Sequence, residues 1–232
     1  MKIEVLLLPS QRPRLDSYDL VAVIDSLRAT TVIVKAIESG AMGIYPVKSV
    51  AQAKRFKGIV PNALLAGERR AFKIKGFDLG NSPLEFTREN VSGKNVILTT
   101  TNGTKAANIY QNYGKVVAMA LSNVKVIADY SKNFQNLLLV CAGSHGEISL
   151  EDSYTAGKFI SYFDMVSLND GAMLAREISG SDPMKILKTS HHGRYLSSIG
   201  MGEDLEESLV ERNIIPILKV DMFNLKFFGG ER

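Results

Sequence analysis

The chain has 232 residues, 45% of them hydrophobic, a net charge of +4 and a single cysteine, Cys141, which excludes an intrachain disulfide and a cysteine-rich zinc site. That size supports a well-buried core in one large domain, or in two related lobes, and no charged n-region with an apolar h-region or membrane-length run is present, so a cytoplasmic setting with no membrane partner is expected. The cations are scattered, Trp is absent and no basic stripe alternates with aromatics, which argues against nucleic acid and favours a small anion as ligand.

Residues 3–8 read as a first strand and 9–19 as a polar connection. The run LVAVI at 20–24 is apolar throughout, as in a parallel strand covered on both faces, and Asp25 falls at its carboxyl end. Ala29, Val32, Ile33, Ala36 and Ile37 then recur with helical spacing up to Gly40. The start of that helix points into the same space as Asp25. With Arg28, Thr30 and Thr31 it makes an anion-ready turn, and Asp25 is a hard oxygen ligand where open α/β sheets place their chemistry. The same residues also suit plain helix capping by Asp25 and Thr30.

A short strand at 43–47, a helix at 49–57 capped by Ser49 and a strand at 63–66 follow. The stretch GERRAFKIKGFDLGNSP at 67–83 keeps neither period and reads as a long charged loop of functional character. A strand at 95–100 breaks into TTNGT before a helix through Tyr110. This repeats the strand-end, Thr-rich arrangement, so the two turns read as two walls of one site and hint at an internal duplication.

A strand at 116–120, a helix capped by Ser122 and an apolar strand at 137–142 come next. The helix after them opens with Glu151-Asp152, suited to the helix dipole, and Tyr154, Gly157, Ile160 and Phe163 give it a close-packed face. Residues 169–212 carry helical periods around 171–178, after Ser181-Asp182-Pro183, at 191–199 and from Glu203. Strands at 214–220 and 222–228 close the chain. Alternation places Phe223 and Phe227 on one face, as core or as a contact with a second copy in a homodimer. The fold class expected is α/β: a layered α/β/α arrangement on a largely parallel or mixed sheet, with a helical segment in the C-terminal third.

Several phosphate chemistries fail on spacing. There is no GxxxxGK[ST] loop and no GxGxxG after a strand. A cysteine phosphatase would need arginine where Glu147 stands, and a haloacid-dehalogenase-type nucleophile would need a second aspartate where Leu27 stands. Cys141 reads as a small buried hydrophobe. The three histidines, His145, His191 and His192, lack zinc-protease spacing.

The segments IDSLRATT (24–31), GER (67–69), GFDLGNSP (76–83), TTNGT (100–104), CAG (141–143), LEDSYTAG (150–157) and HHGRYL (191–196), with Asp204, span nearly the whole chain. Together and in this order they resemble the 2-phosphosulfolactate phosphatase family. The resemblance implies magnesium-dependent hydrolysis of 2-phospho-3-sulfolactate to 3-sulfolactate and phosphate, on the route to coenzyme M. On that reading Arg28, Arg69, Thr30, Thr31, Asn102, Gly103 and Thr104 meet the phosphate, with Asn81, Ser82, His192 and Arg194 as further substrate contacts. Asp25, Glu68, Asp78 and Asp152 would hold Mg2+, with waters completing its octahedron.

With no nucleophile signature left, water attacks directly, and Asp25, Arg28, Glu68, Glu151 and His192 form the catalytic set, His192 or Glu151 protonating the leaving alkoxide. A sulfonated, carboxylated phosphoester asks for more positive charge, for which Arg70, Lys73, Lys75 and Arg194 are in reach, each also readable as a solvated surface charge. Where the family commonly continues GER with glycine, this chain has Arg70-Ala71-Phe72, a bulkier and more basic loop. Two alternatives stay open: a phosphatase for another small 2-hydroxy-acid phosphate, and a non-catalytic binder of anionic metabolites. Against the second, the carboxylates lie in the same motifs as the anion-binding residues and would repel the ligand.

Overall fold

A computed structural model describes residues 1–100 and 110–231. Its strands are β1 (Lys2–Leu6), β2 (Leu20–Ile24), β3 (Gly43–Pro46), β4 (Ala63–Arg69), β5 (Phe72–Lys73), β6 (Asn95–Thr99), β7 (Lys115–Met119), β8 (Asn136–Cys141), β9 (Ser167–Leu168), β10 (Ile215–Val220) and β11 (Lys226–Glu231). Among the described residues they form one 11-stranded sheet in the order β5-β4-β6-β3-β11-β10-β7-β2-β8-β1-β9. The helices are α1 (Ala29–Glu38), α2 (Val50–Lys57), α3 (Arg88–Val91), α4 (Val124–Tyr130), α5 (Leu150–Ile160), α6 (Asp170–Ile178), α7 (Pro183–Thr189), α8 (His191–Ser198) and α9 (Glu203–Leu209).

The apolar runs of β2 and β8 are buried at nearly every position because each strand serves two cores. Val21 and Val23 pack with Leu138, Val140, Val32, Ile33 and Ala36 of α1 on one face. Leu20, Ala22 and Ile24 pack with Leu137, Leu139 and Cys141, and with Ile127, Ala156, Phe159 and Ala172 of α4, α5 and α6, on the other. Side-chain alternation thus divides one continuous hydrophobic sequence between two layers, which gives the expected α/β/α arrangement.

Two parallel sets, β4-β6-β3 and β7-β2-β8-β1-β9, are joined by the antiparallel hairpin β10-β11. Formally the sets run in opposite directions. Strand twist of roughly 20–25° per step over the six steps from β2 to β4 offsets that reversal. The carboxyl ends of both sets therefore reach one cavity.

Three stretches differ from the expected elements. Strand β4 runs on through Gly67-Glu68-Arg69 and turns back through Arg70-Ala71 into β5, so part of the anticipated loop is a hairpin. At the C-terminus, Asp221 Oδ1 accepts the Phe223 and Leu225 amides and closes a turn, so β11 begins only at Lys226. Phe223 is consequently exposed in that turn rather than facing alongside Phe227, which stacks on Tyr45, while Phe228 is core. The N-cap position of α4 is Asn123 instead of Ser122, with its side chain turned back to the Ala120 amide, because the chain first makes a short 3-10 turn at Leu121–Asn123.

Ser49, Ser149, Asn169, Asp182 and Ser190 each accept an amide at the start of a helix. Two glycines set how closely helices approach. A Cβ on Gly157 would lie 1.9 Å from Ala175 O, and one on Gly193 would lie 1.8 Å from Leu187 O. Only a missing side chain lets α5 meet α6 and α8 meet α7 at these distances.

Candidate active site

Asp25 stands at the end of β2, where the chain must turn into α1. Thr30 Oγ1 donates to Asp25 O and accepts the Asp25 amide, Thr31 Oγ1 donates to Ser26 O, and Asp25 Oδ1 accepts the Ala29 amide at 3.3 Å. Both threonine hydroxyls are therefore spent on shaping the turn. They are buried and are not brought to the cavity lining, contrary to the substrate-contact role expected from their spacing.

Asp152 ties this turn to the end of β8. Its Oδ1 accepts the Ser26 amide at 2.8 Å and its Oδ2 the Gly143 amide at 3.2 Å, while Ser26 Oγ and Thr155 Oγ1 share a hydrogen bond. Ser149 caps α5 through the Asp152 amide, so the helix opens with Glu151 and Asp152 turned inward, 3% and 2% exposed. Burial first, then the negative charges of Asp25 and Glu151, push the Asp152 carboxyl well above its ordinary range. Burial also pushes Glu151 upward.

Arg28 enters from the other side of the turn. Its Nη1 pairs with Asp204 Oδ2 at 2.6 Å, its Nη2 donates to Ala71 O at 3.0 Å, and its buried Nε has no partner among the described residues. Glu68 on β4 accepts the Ala71 amide. Arg69 donates to Glu68 O and lies 3.5 Å from Thr99 Oγ1.

These groups surround a cavity of about 490 Å³ whose lining includes Asp25, Arg28, Glu68, Arg69, Arg70, Asn81, Thr100, Glu151, Asp152, His191, His192 and Tyr195. Asn81 is buried there with its Oδ1 unpartnered among the described residues. Burial, reinforced by the charge of Arg28 and opposed by Glu68, lowers His192 to about 4. At neutral pH its imidazole is uncharged and holds no spare proton. The shift runs against the proton-donor role expected of His192 from sequence, whereas that of Glu151 runs the opposite way.

Other expected site residues lie elsewhere. Asp78 is on the outer side of its loop. Burial works against its ionisation, yet the Leu65 amide and Lys57 hold its carboxyl below the usual range, and it does not reach the cavity as a metal ligand. Arg194 donates to Thr189 O at the end of α7, away from the cavity lining. Ser82 donates to Asp204 Oδ1 and so supports the partner of Arg28. Asn102, Gly103 and Thr104 lie outside the described residues. Cys141 is fully buried, and burial, then Asp152 and Glu151, raise its thiol well above normal, so it is an inert core side chain. Residues 143–147 make a tight turn with His145 at φ +53°, and His145 lies on the lining beside Ser144.

Among the described residues, no group of three or more His, Cys, Asp or Glu side chains is arranged to hold a metal ion unaided. Magnesium asks less than that, since it commonly takes one or two carboxylates together with substrate phosphate and water. The mutual repulsion around Asp152 is the kind of field a divalent cation relieves, and the donor set suits magnesium in company with a phosphate.

Fold and cavity together define an α/β protein with a strand-end pocket combining carboxylates and arginines for a small anionic ligand. The chain belongs to the 2-phosphosulfolactate phosphatase family, whose model matches residues 6–220. It is 41% identical to a probable 2-phosphosulfolactate phosphatase of Thermotoga petrophila, covering 89% of this chain and 92% of that one. It is 40% identical to the protein of the same description from Thermotoga maritima, with the same coverage. A third, from Deinococcus radiodurans, is 37% identical over 99% of this chain and 100% of its own. Among the described residues, no helix is long and apolar enough to cross a membrane.

Proposed function

We propose that this chain hydrolyses 2-phosphosulfolactate to 3-sulfolactate and inorganic phosphate with the help of Mg2+. The observation that carries the reading is convergence. Asp25 after β2, Arg28 before α1, Glu68 on β4, Glu151 and Asp152 on α5 and His192 on α8 line one cavity in a chain of this family. Asp25 and Asp152, with Glu68 at the cavity wall, would hold the ion. When bound, magnesium supplies positive charge against the non-bridging phosphate oxygens.

Arg28 and Arg69 bind phosphate oxygens, and Asn81 adds an amide donor. Water attacks phosphorus in line with the ester oxygen: a new P–O bond forms while the bond to the leaving 2-oxygen breaks. His192, held neutral, accepts the proton of the attacking water, and the approaching phosphate dianion raises its basicity as that proton arrives. Glu151, whose carboxyl burial pushes upward, delivers a proton to the departing alkoxide. Opposite displacement of two titratable groups in one pocket is how a protein assigns a base and an acid at a single pH.

The test is release of inorganic phosphate from 2-phosphosulfolactate, phospholactate and phosphoglycolate, with Mg2+ and with chelator. Magnesium-dependent release, fastest on the sulfonated ester, is the expected result. Faster release from phospholactate or phosphoglycolate would move the substrate to another 2-hydroxy-acid phosphate. Binding without release from any of them would make the cavity a binding pocket.

A further inference from the structure

We infer that Arg70 is the specificity residue of this cavity, the cation that reads the acidic group carried by the leaving part of the substrate; this rests on the phosphatase reading above. Arg70 and Ala71 form the two-residue turn between β4 and β5, with φ of +53° and +67°. Two left-handed residues in succession make the hairpin turn that Asn-Gly serves best, and neither Arg nor Ala suits it. A non-glycine residue held in that region at a cavity wall marks a position where the side chain matters.

The turn is also fixed from three sides. Tyr195 Oη donates to Arg70 O at 3.0 Å, Arg28 donates to Ala71 O at 3.0 Å, and the Ala71 amide donates to Glu68 at 2.9 Å. Each bond is made by the backbone of the turn, so its conformation is held without using the Arg70 side chain. Arg70 lines the cavity, and its guanidinium has no hydrogen bond or ion pair among the described residues.

Comparison with the other cations narrows the choice. Arg28 is neutralised by Asp204, and Arg69 is bonded to Glu68 O. Arg194 is committed to Thr189 O, and Lys73 and Lys75 do not line the cavity. Arg70 is therefore the arginine of the lining left uncommitted among the described residues, on an exposed turn. A guanidinium fork matches the paired oxygens of a carboxylate or sulfonate. The assignment is thus to a small phosphoester whose alcohol part bears such a group.

Arg70→Gly tests it, because glycine accepts the left-handed φ and keeps the turn. Expected is a 10- to 100-fold fall in kcat/KM for 2-phosphosulfolactate, carried mainly by KM, with phenyl phosphate, which has no second acidic group, changed less than twofold. Arg70→Lys should fall between, since it keeps the charge and loses the fork. Phospholactate identifies the group: a fall like that of the sulfonated ester assigns the carboxylate, and no fall assigns the sulfonate. Equal losses on all esters, or none on any, with active wild type would overturn the assignment of Arg70 alone. Absence of phosphate release by the wild type from every ester would instead remove the phosphatase reading, and this proposal with it.

Discussion

Arg28 and Asp204 form a buried ion pair, 2.6 Å apart with side chains 1% and 2% exposed, between the turn after β2 and helix α9. Asp204 also accepts from Ser82, so one carboxylate links three segments distant in sequence. The pair fixes the guanidinium while leaving its Nε on a buried surface without a partner among the described residues.

Asp204→Ala should cost about 3–5 kcal/mol, because it leaves the Arg28 charge buried and uncompensated. Urea unfolding at pH 7 measures this. The double variant Arg28→Met with Asp204→Leu should regain much of that stability and release no phosphate, separating the pair's structural role from its role in the cavity. A double variant as unstable as Asp204→Ala alone would contradict the account.

Mg2+ together with inorganic phosphate should stabilise the wild type, and Asp152→Asn should abolish that gain. Binding to the native state raises Tm through linkage, so the wild type should shift upward by several degrees and the variant should not. The sign with pH is also defined. Because the folded carboxyl titrates above the unfolded one, ionising it in the native state is costly, and the wild type loses stability as pH rises past the ordinary aspartate range. The variant should lose less over the same interval.

His192 gives the opposite slope. With a native pKa of about 4 against 6.5 unfolded, the unfolded chain binds a proton in that window that the folded chain does not. Stability therefore falls as pH drops from 6.5 towards 4, by roughly 2 kcal/mol between pH 6.5 and 5. The same unfolding series on His192→Asn should lack this component, and identical slopes in the two proteins would contradict it.

Much of the layout was legible because it rests on local rules. The run at 20–24 alternates between two cores, and strand ends and helix starts carry Asp25, Glu68, Glu151 and Asp152 to one place. What failed was orientation. Spacing alone does not show that the Thr30 and Thr31 hydroxyls turn back onto carbonyls five residues earlier, or that Asp78 is taken by Leu65 and Lys57. The Arg28–Asp204 pair spans 176 residues and has no local signature. Arg70-Ala71 stands out in sequence as a bulky, basic departure, but the turn it makes does not, because these residues are not those such a backbone favours. Asp204 stood among the motif residues, but only its contacts reveal what it does.

Gly193→Ala should destabilise the chain by more than the usual gain from replacing a flexible glycine, since the new methyl would meet Leu187 O at 1.8 Å. A lowered Tm, with phosphate release reduced through displacement of His192 on α8, is expected. Unchanged Tm would show that α7 and α8 can separate freely.

The most direct measurement is phosphate release from 2-phosphosulfolactate by wild type and Asp25→Asn, side by side, at saturating Mg2+ and with folding of both checked by thermal unfolding. The account requires turnover by the wild type and a loss of about 100-fold or more in a folded variant, a magnitude in line with removing one preorganised charged group. A folded Asp25→Asn that releases phosphate at the wild-type rate would contradict it, and would place the chemistry outside this cavity.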